Sequence, residues 1–189
     1  MRRKQQASIL RTTRKIHRWL GISLFMLFLV VSLSGLFLGW KKNSSGYILP
    51  KSQRGSTTEL SQWLSLDSLQ RIAFQSLHDS VNSGLSTKLS RIDARPEKGM
   101  VKFVFDDHFW GVQLDGATGE VLNIGRRRSD WIENVHDGSI LDDALGTNGF
   151  IKLIYTSVMG LALLGFTVTG FWLWYGPKRM RSQRGKTKP

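Results

Sequence analysis

Residues 20–40 carry not one formal charge. As a helix rising about 1.5 Å per residue, a block of this length crosses a hydrocarbon core of about 30 Å. Trp19 and Trp40 stand at its ends, where indole rings favour the membrane–water interface. The block reads as a membrane anchor. A cleaved signal peptide would have a shorter apolar core with an A-x-A-like site beyond it, whereas Lys41 and Lys42 follow Trp40 directly. A second uncharged stretch, 153–175, ends on Trp172, Trp174 and Tyr175 and reads as a second span.

Charge sets the orientation. The net charge is +13, and thirteen of the 27 lysines and arginines lie in residues 1–18 and 178–189, which hold no acid. The other 14 bases match the 14 acids, all of which fall between Glu59 and Asp143. Basic ends flanking apolar spans are what the positive-inside rule assigns to the cytoplasm. The expected layout is a basic cytoplasmic tail at 1–18, a first span at 19–40 and an extracytoplasmic segment at 41–149. A second span at 150–176 and a second basic cytoplasmic tail at 177–189 complete it. The lipid bilayer is therefore the first partner. Nucleic acid is not one, because no base-reading module accompanies the tails. The chain has no cysteine, which excludes disulfides, iron–sulfur clusters, zinc–thiolate sites and covalently attached haem. A redox cofactor would have to be held by histidine, methionine or burial.

The middle segment has the pattern of one small α+β domain. Residues 41–58, rich in Ser, Gly and Lys, read as a linker. Residues 59–81 place Leu60, Trp63, Leu64, Leu69, Ala73 and Leu77 at mostly helical spacing. Short strands follow from 88 to 126. Val101, Phe103 and Phe105 share one face, Pro96-Glu97-Lys98-Gly99 turns the chain, and Asp115-Gly116-Ala117-Thr118-Gly119 makes a tight hairpin. His108 and Trp110 are expected in the third strand. Arg126-Arg127-Arg128 then breaks the pattern, as a contact for outer headgroups or as an anion site. Residues 129–133 read as a capped helical turn, and 141–149, with Asp142 and Asp143, as an interfacial approach and not a span.

Two histidines are placed for function. His17 begins the first span at the cytoplasmic face, and His136 precedes the second on the outer face. A full span separates them, so they cannot bind the same iron. His17 reads either as a ligand or as one more interfacial cation among Arg14, Lys15 and Arg18. His136 reads either as a ligand or as a brace for the approach to the second span. Asp137 is placed to accept the other N–H of a ligating imidazole. His17, Gly21, Phe25, Phe28, Ser32, Gly35 and Gly39 form a stripe along the first helix. Gly21, one turn from His17, would clear space for a flat ligand, and Gly35 and Gly39 make a G-x-x-x-G pair that lets another helix approach closely. His78 reads as a helix C-cap, and His108 as structural or exposed. Ser139, His136 and Asp137 are too close in sequence to converge as a triad, and no H-E-x-x-H, Walker or dinucleotide glycine motif occurs. The chain does not read as a peptidase.

Four motifs in order resemble the PepSY-associated transmembrane family of bacterial inner-membrane proteins, in its short two-span form. They are His17-Arg18-Trp19-Leu20-Gly21 at the first span and the hairpin Val112-Gln113-Leu114-Asp115-Gly116-Ala117-Thr118-Gly119-Glu120-Val121. His136-Asp137-Gly138 and Thr169-Gly170-Phe171-Trp172-Leu173-Trp174 follow. The resemblance covers about residues 14–177. It implies a membrane α-helical hairpin with an inserted small extracytoplasmic, PepSY-like α+β domain. Larger relatives include haem-bearing reductases of ferric siderophores, in which membrane histidines ligate b-type haem. The resemblance thus implies a b-haem electron-transfer module or subunit linked to reduction of ferric compounds and iron uptake. His17 and His136 would be its iron ligands, with Gly21 and Asp137 beside them. Bis-histidine ligation would then need a homodimer or a larger membrane complex. This chain differs from those relatives in having two spans, fewer histidines and no flavin or nicotinamide module. The alternative is a non-catalytic, membrane-anchored binding or scaffold protein whose outer domain contacts a transporter or protease.

Overall fold

A computed structural model describes residues 3–185; Met1, Arg2 and residues 186–189, which hold part of both basic tails, lie outside it. The chain forms two compact units, Met1–Gly35 with Asn134–Pro189, and Leu36–Glu133.

The first unit is built on two long helices. Helix α1 (Arg3–Trp40) is continuous from the basic segment through the apolar block. The expected tail at 1–18 is therefore helical from Arg3 onward. Arg, Lys, Gln, Ala and Leu all propagate a helix well, and Gln6 and Leu10 face Trp172 and Gly176 of the facing helix across a small cavity. That helix, α5 (Phe150–Gly185), likewise runs past Gly176-Pro177, the expected exit. Pro177 forfeits one backbone hydrogen bond, but the cations that follow complement the negative end of the helix and sustain it. Both helices are long and apolar enough to cross a membrane. Only 6% and 11% of their most apolar windows is buried within the chain, so their outer faces need lipid or protein to cover them.

Helix α3 (Arg128–Asp137), whose residues from Asn134 on belong to this unit, and helix α4 (Ser139–Leu145) precede α5 in the chain. Asp142, buried on α4, accepts from Thr147 Oγ1 and from the backbone N–H groups of Ile151 (3.0 Å) and Lys152 (2.7 Å). A carboxylate thus satisfies orphan donors in the first turn of α5. Burial alone would raise its pKa, but these donors outweigh it and hold it below the ordinary carboxylate value. Residues 139–149 are thus a short helix and a cap ahead of α5, and not a span.

The second unit is a four-stranded antiparallel meander, β1 (Leu89–Arg95), β2 (Met100–Phe105), β3 (Trp110–Asp115) and β4 (Val121–Arg126), in sequence order. Helix α2 (Leu66–Ser80) starts at Ser65, whose Oγ accepts from Ser68 N–H at 3.1 Å. Its Leu69, Ala73 and Leu77 pack on Val101, Phe103, Phe105, Val112 and Leu114. Alternation along β2 and β3 sends the other residues to the opposite face. That face is covered too: every residue of β2 is buried.

The cover is the segment expected to be a linker. Gln113 clamps its backbone, donating from Nε2 to Lys51 O and accepting from Gln53 N–H, both at 3.0 Å. Gly55 N–H donates to Lys98 O at 2.8 Å. Ser56 donates from N–H (2.6 Å) and Oγ (3.0 Å) to the Asp115 carboxylate. Gly55 passes so close that a Cβ there would lie 2.0 Å from Gly99 O. Residues 49–58 are therefore a strap across the back of the sheet.

Candidate functional site: two imidazoles held between helices

His17 lies on the face of α1 that meets α5. Its Nδ1 is 2.8 Å from Thr169 Oγ1, and Thr169 Oγ1 is 2.6 Å from Gly165 O, four residues back on its own helix. A hydroxyl has a single proton, and here it goes to the carbonyl. Thr169 is then placed to accept from His17 Nδ1–H, and in the neutral imidazole Nε2 carries the lone pair. Phe166 stands edge-on to the imidazole at 4.8 Å and, in turn, against Phe28 at 5.2 Å.

His136, near the end of α3, repeats the arrangement. Its Nδ1 is 2.9 Å from Ser34 Oγ, which donates to Val30 O at 2.6 Å. Again the hydroxyl proton is committed to the helix, and again the neutral ring would present its lone pair at Nε2. A Cβ at Gly35 would lie 3.4 Å from His136 Cε1, so glycine lets the ring sit against α1. Ser34 stands 17 residues after His17 on one helix, so the two sites lie about 25 Å apart along it. No single iron can join them.

Several expectations change at this level. Gly21 opens no slot beside His17, because a Cβ there would meet the Phe166 ring at 3.7 Å. The space is filled by an aromatic edge. Asp137 does not orient His136. It forms an ion pair with Lys152 and accepts from Ser139 N–H (2.9 Å) and Oγ (2.6 Å), while Ser34 takes the imidazole. Burial would raise the Asp137 pKa, but Lys152 and Ser139 outweigh it and hold it below the usual value. Within the chain Gly35 accommodates His136, and nothing lies within 4 Å of a Cβ at Gly39. In the stripe, Gly21, Phe28 and Gly35 face inward as expected, but Phe25, Ser32 and Gly39 are exposed, and Leu24, Val31 and Ser34 take their places. His108 lies in the turn before β3, not in the strand, with Nε2 2.9 Å from Ser86 O. His78, in the last turn of α2, bonds Leu85 O at 3.0 Å. Arg127 pairs with Asp130, and Arg128 lies 4.3 Å over the Tyr47 ring, so the arginine triplet is divided between partners.

Thr169, Ser34 and Phe166 are the residues that sequence reasoning missed. Their signal was a hydroxyl or a ring in an apolar span, but several such residues occur there and only a correct helical phase selects these. One turn beyond Thr169, Trp172 Nε1 is buried without a hydrogen-bond partner, as is Gln6 Oε1, and both residues line one small cavity. Among the described residues no group of three or more His, Cys, Asp or Glu side chains could hold a metal ion.

Two long apolar helices that bracket a small α+β domain in sequence, with imidazoles fixed at two levels about 25 Å apart along the first helix, define a class of membrane protein. The family model described as the PepSY-associated TM region matches residues 14–188, and the chain belongs to that family. No curated protein matches it.

Proposed function

We propose that this protein is an electron-transfer unit of a bacterial inner membrane that holds b-type haem and serves the reduction of ferric compounds. Its tails lie in the cytoplasm and residues 41–149 in the periplasm. The observation that carries the reading is the shared geometry of His17 and His136. Each imidazole gives its Nδ1 proton to a hydroxyl that is itself committed to a helix carbonyl. Nε2 is then the available donor, the form in which neutral histidine ligates iron.

The donor chemistry of the two histidines fits haem. Room for a porphyrin lies outside the helix pair, since Phe166 fills the inner side of His17. His17 and His136 are both half-buried at that surface. Two sites about 25 Å apart, each with one imidazole, call for a second chain to complete each iron's coordination. A homodimer, or a subunit within a larger membrane complex, supplies it. Haem, when bound, supplies a one-electron iron couple. The chain's own part is to present Nε2, fix the tautomer through Thr169 and Ser34, and exclude water with the Phe and Leu side chains of the spans.

The second reading is a membrane-anchored binding or scaffold protein. It draws on the same bonds, because each histidine also clasps one helix to another within a single chain. Visible absorption of the detergent-purified full chain, produced in a haem-replete host, separates the two. Electron transfer predicts a reduced b-type spectrum that is lost in His17→Ala and His136→Ala. A colourless preparation that retains its fold supports the scaffold.

A further inference from the structure

The sheet unit has a strongly cationic cleft beside the strap, enclosing about 700 Å³. Eight lysine and arginine side chains line it against one carboxylate, Asp93. Asp93 is already committed to Arg95, at 2.9 and 3.0 Å. Arg91 and Arg127 share Asp130, at 3.0 and 2.9 Å. Among the described residues, the remaining five lysines, at 41, 42, 51, 98 and 102, form no ion pair.

Lys102 distinguishes this cleft from a solvated basic patch. It is 5% exposed, and its Nζ donates to Ser52 Oγ on the strap at 2.6 Å. An ammonium has three protons to donate, and a buried cation without a counter-ion is costly. Burial, aided by Arg95, Arg127 and Lys98 and opposed by Asp93, brings its pKa down to about 8. Gln113, its neighbour on β3, is neutral and engaged by the strap. A fold that gathers unpaired ammonium groups around one buried lysine is completed by an anion.

We propose that this cleft binds a phosphate group, with Lys102 at its floor and Lys98 and Lys51 on its walls. Compact point charges from separate elements suit a multivalent oxyanion. Lys41 and Lys42 directly follow Trp40, the indole at the end of the first span, which places part of the rim where phospholipid headgroups lie. The phosphate is that of an anionic lipid headgroup or of a soluble anion. This inference does not rest on haem.

The test titrates the full chain, purified in a zwitterionic detergent, with short-chain phosphatidylglycerol and separately with inorganic pyrophosphate. Heats are recorded at pH 8.5 in two buffers of different ionisation enthalpy. Binding of phosphatidylglycerol alone assigns a headgroup site, and binding of both assigns a general phosphate site. In either case Lys102→Met with Lys98→Ala weakens binding at least tenfold, while Lys102→Arg retains it. With phosphatidylglycerol, a diester that holds no titrating proton near pH 8.5, an anion beside Lys102 also restores its proton, so the wild type takes up protons on binding and Lys102→Met does not. Unchanged thermal melting of the variants excludes misfolding as the cause of a loss. No saturable binding of either probe, or binding that the double variant leaves intact, overturns the proposal.

Discussion

A threonine or serine in an α-helix has one proton to give, and at Thr169 and Ser34 it goes to the carbonyl four residues back. That small local bond decides the chemistry of a histidine on another helix. Thr169→Val or Ser34→Ala removes the acceptor and frees the imidazole to change tautomer and to rotate. Loss of such a supporting hydrogen bond typically costs 10–100-fold in metal affinity. Haem titration of the purified variants is expected to show that loss, with Thr169→Ser close to wild type. Affinities unchanged in both variants would remove the hydroxyls from the proposed site. The spacing of the first span put Ser32 in the stripe and not Ser34, because a four-residue step overshoots a 3.6-residue turn and rotates the next residue toward the edge of the face. Gly21, Phe28 and Gly35 survive that drift, whereas Phe25, Ser32 and Gly39 do not.

Among the elements, those with an internal rhythm were legible. The two spans, α2 and the Asp115–Gly119 hairpin follow from periodicity, capping and turn chemistry within a few residues of chain. The strap has no such rhythm. Its Ser, Gly and Lys composition is that of a loop, and its burial depends on Gln113 and Asp115, about sixty residues away. The lysine floor of the cationic cleft was hidden for the same reason, since Lys102 looks like the outward residue of an alternating strand until the strap covers it.

Asp115 joins strap to hairpin, and its removal tests that element. Its carboxylate accepts from Ser56 N–H and Oγ and from the N–H groups of Ala117 (2.8 Å) and Thr118 (3.2 Å), and it is 3% exposed. Burial alone would raise its pKa, but these donors prevail and hold it below the ordinary carboxylate value. A carboxyl depressed in the folded state contributes stability above its unfolded pKa and loses it as pH falls through the folded one. Asp115→Asn is therefore expected to cost about 2–3 kcal/mol at pH 7, by denaturant titration of the full chain followed by tryptophan fluorescence. The gap to wild type should close as pH falls below about 4. A variant as stable as wild type at pH 7 would show that the strap is held by other bonds.

At the scale of the whole molecule, membership of the PepSY-associated TM family and two apolar helices make this a membrane protein. Both proposals then depend on which side of the bilayer each part occupies. One imidazole must be near each surface for an electron path to cross, and the sheet domain with its cationic cleft must lie on the outer side. The cysteine-free sequence makes every introduced thiol unique. Ser8→Cys and Ser182→Cys report on exposed positions of the two long helices, and Ser83→Cys on an exposed loop of the sheet domain. The direct measurement is labelling of these variants by a membrane-impermeant maleimide in cells whose inner membrane is intact. The account predicts that Ser83→Cys is labelled at once, while Ser8→Cys and Ser182→Cys react only after the membrane is permeabilised. Labelling of one terminal position without the other, or a protected thiol at position 83, would contradict it.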